Sequence, residues 1–168
     1  MTARRDDLPA GKMNPIGITI AAEDARQADV AALMEEADDY LRTLYPAQGN
    51  RPVDVDALSA PGVAFLAARR NGSLLGSVAL RPIGPGHAEI KRLFVQEAAR
   101  GCGLGRRLLA TLESEARLRG IDRVSLEVGI KQPQAIRLYR SFGYRDCGPF
   151  GTYRLDPLSL FMTKRLAP

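Results

Sequence analysis

A glycine-rich segment between a predicted strand and a predicted amphipathic helix constrains this chain more than any other feature. It runs from Arg100 to Arg106 and has glycine at every second position from Gly101 to Gly105. Glycine accepts positive φ, so successive N–H groups can turn toward one point, and the helix adds unpaired donors and the positive end of its dipole. Flanking arginines supply charge-assisted contacts to oxyanions. The segment therefore predicts a diphosphate site, and a glycine-rich turn without a ligand is the alternative.

Two common nucleotide-binding loops do not fit this segment. A P-loop requires G-x-x-x-x-G-K-[ST], and the sequence contains no such string. The dinucleotide fingerprint G-x-G-x-x-G is not matched either. If the motif starts at Gly101, the third glycine comes one position early, and if it starts at Gly103, Leu108 occupies the position of the third glycine. A dinucleotide fold would also place the loop after an early strand of a parallel unit, whereas hairpin-linked strands precede it here.

The order of predicted elements indicates a mixed α/β domain. Apolar residues at helical spacing predict helices, and short alternating runs bounded by turn residues predict strands. Asn71-Gly72 is a strong hairpin signal, since both residues accept positive φ. The predicted strands are Ile16–Ala21, Val63–Arg69, Ser73–Ile83, Ala88–Val95, Arg123–Gly129, Tyr144–Gly148 and Leu158–Arg165. Helices are predicted from Asp24, as a cap, to about Leu44, over Gly103–Arg119 and over Gln134–Phe142.

These elements predict an α/β (α+β) fold. We expect a mixed, mostly antiparallel central sheet of about six or seven strands with helices on both faces. Residues 1–15 combine mixed charge with no periodicity and predict a flexible leader, and translation can start at Met1 or at Met13. Residues 16–168 are expected to form a single domain, because no repeat or linker divides them.

The charge of the chain favours an anionic partner. The 168 residues carry a formal net charge of +5, and several basic residues bracket the glycine-rich segment. They are Lys91, Arg92, Arg100, Arg106 and Arg107. A nucleic-acid-binding domain would instead spread basic residues over a face with interleaved aromatic residues. We therefore expect no nucleic-acid partner.

Membrane and metal-binding classes are also disfavoured. The longest apolar run, Val63–Ala68, is far shorter than the roughly 20 residues of a membrane span. The two cysteines lack metal-ligand spacing, and the chain has one histidine. We expect no membrane association, no metal and a reducing, cytoplasmic location. Either a monomer or a homodimer is compatible with the sequence.

Three segments in order carry a family resemblance. Arg100-Gly101-Cys102-Gly103-Leu104-Gly105 matches the acetyl-CoA signature [QR]-x-x-G-x-[GA], and the strand Ala88–Val95 precedes it. Ala135–Tyr144 is similar to A-I-x-L-Y-x-x-x-G-[FY]. On these segments the sequence resembles the general N-acetyltransferase (GNAT) superfamily. The resemblance implies the acyl-CoA N-acyltransferase fold, acetyl-CoA as cofactor, and direct attack of a primary amine on the acetyl group in a ternary complex.

The resemblance also implies how the cofactor binds. The strand Ala88–Val95 is expected to splay from Arg123–Gly129, and the broken alternation at Ile90–Leu93 is compatible with a β-bulge. A strand without splay is the alternative. The pantetheine arm would pair with main-chain groups in the slot, and Gln132 stands where the family often has asparagine. The expected cofactor contacts are Leu93, Phe94, Val95, Arg100, Gly101, Cys102, Gly103, Leu104, Gly105, Arg106, Gln132 and Tyr139.

Two residues are predicted to act in catalysis. By resemblance, the Tyr139 hydroxyl faces the thioester sulfur and protonates the leaving thiolate. Glu89 is the predicted base that takes the proton of the acceptor amine, usually through water; Glu127 is the second candidate, and ordered water alone is the third. An aromatic residue packed in a helix and a surface glutamate in an ion pair are the structural alternatives. Cys102 has no evident histidine partner and is interpreted as a small loop residue.

Aromatic residues and an arginine fall where this fold places its acceptor pocket. They are Tyr40, Tyr45, Phe150, Tyr153 and Arg154. This set suits a small amine that carries a carboxylate, such as an amino acid, while an antibiotic amine, a polyamine and a protein N-terminus stay open. The competing functions are a catalytically silent acyl-CoA-binding regulatory module and a protein acetyltransferase acting on N-termini or lysines.

Overall fold

The computed structural model describes residues 15–46 and 55–168. The predicted leader therefore lies outside the described residues, apart from Pro15. The strands are β1 Thr19–Ala22, β2 Ala64–Arg70, β3 Ser73–Gly84, β4 His87–Val95, β5 Arg123–Gly129, β6 Arg145–Cys147 and β7 Ser159–Arg165. The α-helices are α1 Ala28–Leu44, α2 Val55–Leu58, α3 Leu104–Leu118 and α4 Pro133–Ser141, and a single 3₁₀ turn covers Glu97–Ala99.

The described part of the chain forms one seven-stranded sheet in the order β1-β2-β3-β4-β5-β7-β6. Only β4 and β5 run parallel; every other neighbouring pair is antiparallel. The single parallel pair arises because α3 crosses over between β4 and β5, whereas the hairpin turn at residues 71–72 joins β2 to β3. The predicted mixed, mostly antiparallel sheet is confirmed.

Helices cover both faces of the sheet, as predicted. On one face, α3 buries Leu104, Leu108, Leu112 and Ala116, which recur every four residues and so form one apolar stripe. On the other face, α1 buries Val30, Leu33, Met34 and Ala37 against the alternate side chains of β2 and β3. We call these the α3 face and the α1 face.

The start of α1 differs from the prediction. Asp24 was expected to cap the helix, but α1 begins at Ala28 with Gln27 in the extended N-cap position. The Asp24 carboxylate instead accepts from the main-chain N–H of Arg26 at 2.9 Å and from the Ser59 hydroxyl at 3.1 Å. Asp24 therefore stabilises a local turn before the helix. Aspartate side chains often bond neighbouring main-chain N–H groups in such turns instead of capping a helix.

Candidate functional site

A slot opens between the two parallel strands. β4 and β5 pair at His87 with Arg123, Ala88 with Val124 and Glu89 with Ser125, and the pairing ends there. Both strands continue, β4 to Val95 and β5 to Gly129, while β5 stays paired with β7 along its whole length. The strands therefore separate from residue 90 onward, with Glu89 at the narrow end. The predicted splay is present.

A β-bulge interrupts β4 inside the slot. Ser77 of β3 pairs with Phe94 and Ala79 pairs with Lys91, so one residue of β3 lies opposite both Arg92 and Leu93. Arg92 has a φ of 57°. The extra residue changes which side chains face which layer: Ala88 and Ile90 pack on the α3 face before it, and Leu93 and Val95 do so after it. Phe94 packs on the α1 face.

The glycine-rich segment forms an open cradle at the start of α3. Gly101 and Gly103 both have a φ of 80°, and Gly103 is the N-cap of the helix. The first main-chain hydrogen bond of α3 runs from the Arg107 N–H to Gly103 O. The N–H groups of residues 104–106 lie before it and are therefore not used by the helix itself. A side chain at Gly103 would meet no atom within 4 Å, so this side of the loop is open. The geometry fits an anionic group such as a diphosphate.

Two arginines lie beside this cradle. Arg106 donates to the Ser141 hydroxyl at 2.8 Å and stacks on Phe142. Arg100 donates through Nε to Val95 O at 3.0 Å, and its guanidinium lies 5.2 Å from the centre of the Tyr40 ring. In the part of the chain that the structure describes, neither forms an ion pair with a carboxylate, so both charges stay available to a ligand. Cys102 lies in the loop with its thiol directed at Ala99 O, 3.2 Å away.

Tyr139 lies on α4 and is buried, 6% exposed, with its ring packed edge-on against Tyr144. Burial raises the pKa of the Tyr139 hydroxyl, and the negative charge of Glu127 raises it further. Tyr139 is therefore protonated at neutral pH, as a proton donor must be. Gln132 is the N-cap of α4, directly after the end of β5, and Pro133 begins the helix.

Glu89 is buried, 1% exposed, and is held by several donors. Arg81 of β3 donates to one carboxylate oxygen at 2.7 Å, and the Tyr153 hydroxyl donates to the other at 2.5 Å. Lys91 lies 3.4 Å from that second oxygen and donates to the Tyr153 hydroxyl at 2.8 Å. Burial and the Glu89 carboxylate both raise the pKa of Tyr153, so its hydroxyl keeps its proton. Two cations thus balance the buried carboxylate.

Glu127 has a different environment. It lies on β5 beyond the last residue paired with β4, and it accepts a hydrogen bond of 2.7 Å from the Ser159 hydroxyl. Within residues 15–46 and 55–168, no cation lies within ion-pair distance of its carboxylate. Its charge contributes to the raised pKa of both Tyr139 and Tyr153. Glu127 therefore acts electrostatically on both tyrosines and has no cationic partner among the described residues.

The five predicted acceptor residues fall in separate places. Phe150 and Tyr153 pack together at 5.2 Å and both contact Phe161, next to Glu89. Tyr45 is buried against Gly129 at the end of β5 and accepts from the Lys131 N–H at 2.9 Å. The remaining two are elsewhere: Tyr40 stacks on Arg100 beside the cradle, and Arg154 is exposed.

Two residues of this site are not predicted by the sequence analysis. Arg81 is the direct cross-strand neighbour of Glu89, and Phe161 supplies an aromatic wall from β7. A signal for Arg81 was present, because counting outward from the turn at Pro85 pairs position 81 with position 89. No comparable signal identifies Phe161, which reaches the site through the pairing of β7 with β5.

The described residues contain no group of three or more histidine, cysteine, aspartate or glutamate side chains that could hold a metal ion. Among the same residues, no helix is both long enough and apolar enough to cross a membrane.

Comparisons with known proteins agree with this geometry. Residues 30–144 match the model of the acetyltransferase (GNAT) family. A relative from Azospirillum brasilense named IAA acetyltransferase is 48% identical over 151 residues, which cover 89% of this chain and 98% of the relative. A Klebsiella pneumoniae protein assigned as an acyl-CoA N-acyltransferase superimposes with a TM-score of 0.76 and 35% identity, covering 89% and 98% of the two chains. The protein yncA of Salmonella typhimurium, assigned as an acetyltransferase, was solved with its cofactor acetyl-CoA. It superimposes with a TM-score of 0.67 and 26% identity, covering 90% of this chain and 95% of yncA.

Proposed function

Because the chain belongs to the GNAT family of acyl-CoA-dependent acetyltransferases, we propose that it acetylates the primary amine of a small molecule by direct attack in a ternary complex. One observation supports this proposal above the others. The slot between β4 and β5 has the buried Glu89 carboxylate with Lys91 and Tyr153 at its narrow end, and its wide end leads into the glycine cradle. A cofactor arm in the slot would bring its acyl end to that cluster.

The proposed cofactor contacts follow from the open groups at each position. The N–H groups of residues 101–106 and the guanidinium groups of Arg100 and Arg106 would hold the diphosphate. Main-chain groups of residues 93–95 would pair with the pantetheine arm, and a main-chain N–H at Phe94 or nearby is the proposed donor to the carbonyl oxygen as negative charge develops on it. The Gln132 amide would add a contact at the mouth of the slot.

Bound acetyl-CoA supplies an acetyl group activated as a thioester. Tyr139 is proposed to donate its hydroxyl proton to the sulfur as the C–S bond breaks. Because burial raises its pKa, the hydroxyl stays protonated until the thiolate forms. The amine nitrogen loses two protons in all: one passes to solvent before attack, and one is released after the C–N bond forms and restores Tyr139.

A proton acceptor is needed, and a carboxylate or ordered water can serve, because an alkylammonium has a pKa of about 10 and must lose a proton before attack. Glu89 is one proposed base, but each of its oxygens already accepts from Arg81 or Tyr153. Glu127 is the other, and its contact within the described residues is a single hydroxyl, that of Ser159. Among the described residues, the Glu127 carboxylate has fewer hydrogen-bond donors than that of Glu89, which favours Glu127 as the base. Glu89 is then the group that orients Tyr153.

The acceptor is proposed to be a small amine that carries an acidic group. Phe150 and Tyr153 offer aromatic surface for a small ligand, and Arg81 and Lys91 are partly exposed beside them. The side chains of Arg81 and Lys91 are 45% and 36% exposed, so their free N–H donors can reach a ligand carboxylate. The name of the A. brasilense relative, IAA acetyltransferase, also favours a small acceptor.

Thiol release from acetyl-CoA tests the proposal. The assay would compare amino acids, their decarboxylated amines, polyamines and short peptides with free N-termini. We expect turnover with amines that carry a carboxylate and much less with the matched decarboxylated amines. Turnover with peptides alone would favour the protein acetyltransferase. Binding of acetyl-CoA with no turnover on any acceptor would favour the silent binding module.

A further inference from the structure

Arg92 has an unusual backbone conformation for its place in the fold. Among the described residues, two that are not glycine have positive φ, Asn71 at 50° and Arg92 at 57°. Asn71 lies in the β2–β3 turn, where asparagine is expected. Arg92 lies inside β4, and its Cβ makes the left-handed region sterically unfavourable. Neighbouring contacts must therefore hold it there.

Contacts from two different elements meet at Arg92. Its guanidinium donates to the Asp38 carboxylate of α1 at 2.5 Å, and these side chains are only 23% and 13% exposed. Its main-chain carbonyl lies 3.5 Å from the hydroxyl of Ser77, which is fully buried on β3. By contrast, the Asp39–Arg42 pair on the same helix is exposed, so water and salt screen it more strongly.

The conformation of Arg92 determines how the next three residues are presented. A shift of one residue in a strand moves every following side chain to the opposite face. Without the bulge, Phe94 would leave the α1 face, and Leu93 and Val95 would leave the α3 face. The main-chain N–H and C=O groups of residues 93–95 would turn with them. These are the groups proposed to pair with the pantetheine arm.

Helix α1 makes further contacts with the same stretch of chain. The Gln96 amide donates to the Glu36 carboxylate at 3.4 Å, and Tyr40 stacks on Arg100. Asp38 lies between these two positions and makes the shortest contact of the three. Residues 36 to 40 of α1 therefore contact the stretch of chain that runs from the bulge to the glycine cradle.

We propose that Asp38 is a positioning residue for cofactor binding. Its ion pair with Arg92 holds the bulge in the left-handed conformation and thereby sets the direction of the main-chain groups of residues 93–95. The inference rests on the proposed function because that proposal places the pantetheine arm against residues 93–95. It does not depend on which amine is the acceptor.

Four variants test the proposal by calorimetric titration with CoA, together with the KM for acetyl-CoA where turnover is measured. Asp38→Asn and Arg92→Ala should each weaken CoA binding about tenfold, the effect of one charge-assisted hydrogen bond. Arg92→Gly should stay within about threefold of wild type, because glycine adopts positive φ without help. Asp39→Asn is the matched control on the same helix and should bind CoA like wild type.

The double variant D38N/R92G gives the decisive comparison. If Asp38 acts through the backbone of Arg92, D38N should cost less than about twofold once R92G is present, against about tenfold alone. A merely structural role of Asp38 would lower the melting temperature of D38N and leave its CoA affinity unchanged. Should R92A fail to fold, D38N and D38N/R92G still carry the comparison.

Three results would overturn the proposal. The first is unchanged CoA affinity in D38N. The second is a loss in R92G as large as that in R92A, which would mean that the guanidinium itself contacts the ligand. The third is an equal cost of D38N with and without R92G. Failure of the proposed function would look different: the wild type would bind CoA and show the Asp38 effect but acetylate no small amine.

Discussion

The hydrogen bond from Tyr153 to the buried Glu89 leads to a quantitative prediction about stability. The donor–acceptor distance is 2.5 Å and the acceptor is a carboxylate that is 1% exposed. A hydrogen bond to a charged group contributes about 1.5–3 kcal/mol. Glu89 keeps Arg81 at 2.7 Å and Lys91 at 3.4 Å after the hydroxyl is removed, so the lower half of that range applies. We expect Tyr153→Phe to lower the free energy of unfolding by about 2 kcal/mol.

Tyr144→Phe is the matched control. The Tyr144 hydroxyl is also buried, but within the described residues it has no partner at hydrogen-bond geometry; burial raises its pKa, and the nearby Glu113 carboxylate raises it further. Removing a buried hydroxyl without a partner should be neutral or slightly stabilising. Urea unfolding at pH 7 measures both variants, and a loss of about 2 kcal/mol should lower the melting temperature by about 4–8 °C in a chain of this size.

A double-mutant cycle with Glu89→Gln isolates the pair. The coupling between Tyr153→Phe and Glu89→Gln should be about 1–2 kcal/mol, because the two groups are in direct contact. Additive effects would refute the reasoning, and so would a loss of stability in Tyr144→Phe as large as that in Tyr153→Phe. Additive effects would mean that the hydroxyl of Tyr153 does not stabilise the buried charge, and an equal loss in Tyr144→Phe would mean that the loss in Tyr153→Phe is not specific to the hydrogen bond with Glu89.

Three further predictions concern catalysis and pH. Tyr139→Phe should lower kcat about 100-fold with little change in the KM for acetyl-CoA, as steady-state kinetics would show, because only the proton transfer to sulfur is lost. Glu127→Gln should lower kcat about 100-fold, whereas Glu89→Gln, which removes the group that orients Tyr153, should lower kcat less; the opposite order would identify Glu89 as the base. Burial lowers the pKa of His87 below its ordinary value of 6.5, so the unfolded chain binds more protons just below that pH. The stability contribution of neutral His87 is therefore complete above pH 6.5 and is lost as the pH falls through its folded pKa, and His87→Gln should reduce this loss in urea titrations between pH 7 and 5.

The sequence predicted the parts of the molecule that depend on local chemistry. The two-residue turn at Asn71-Gly72, the apolar stripe of α3 and the glycine cradle each follow from residues that are close together in the chain, and the structure has all three. The broken alternation before Leu93 indicated the bulge, since an extra residue in a strand necessarily shifts the pattern.

Long-range contacts of individual side chains could not be predicted in the same way. The sequence predicts that Tyr45 contacts the acceptor but gives no sign that it packs against Gly129, which follows because the end of α1 lies over the end of β5. The Asp38–Arg92 pair joins residues 54 positions apart, and neither one has a pattern that identifies its partner. Tyr153 belongs to a segment without periodicity, so only the folded loop brings its hydroxyl to Glu89.

A crystal structure with bound CoA tests the central claim most directly. The account predicts diphosphate oxygens about 2.7–3.2 Å from main-chain nitrogens between residues 101 and 106, with at least one of the Arg100 and Arg106 guanidinium groups in contact. A diphosphate bound away from the start of α3, with those nitrogens facing only solvent, would contradict it.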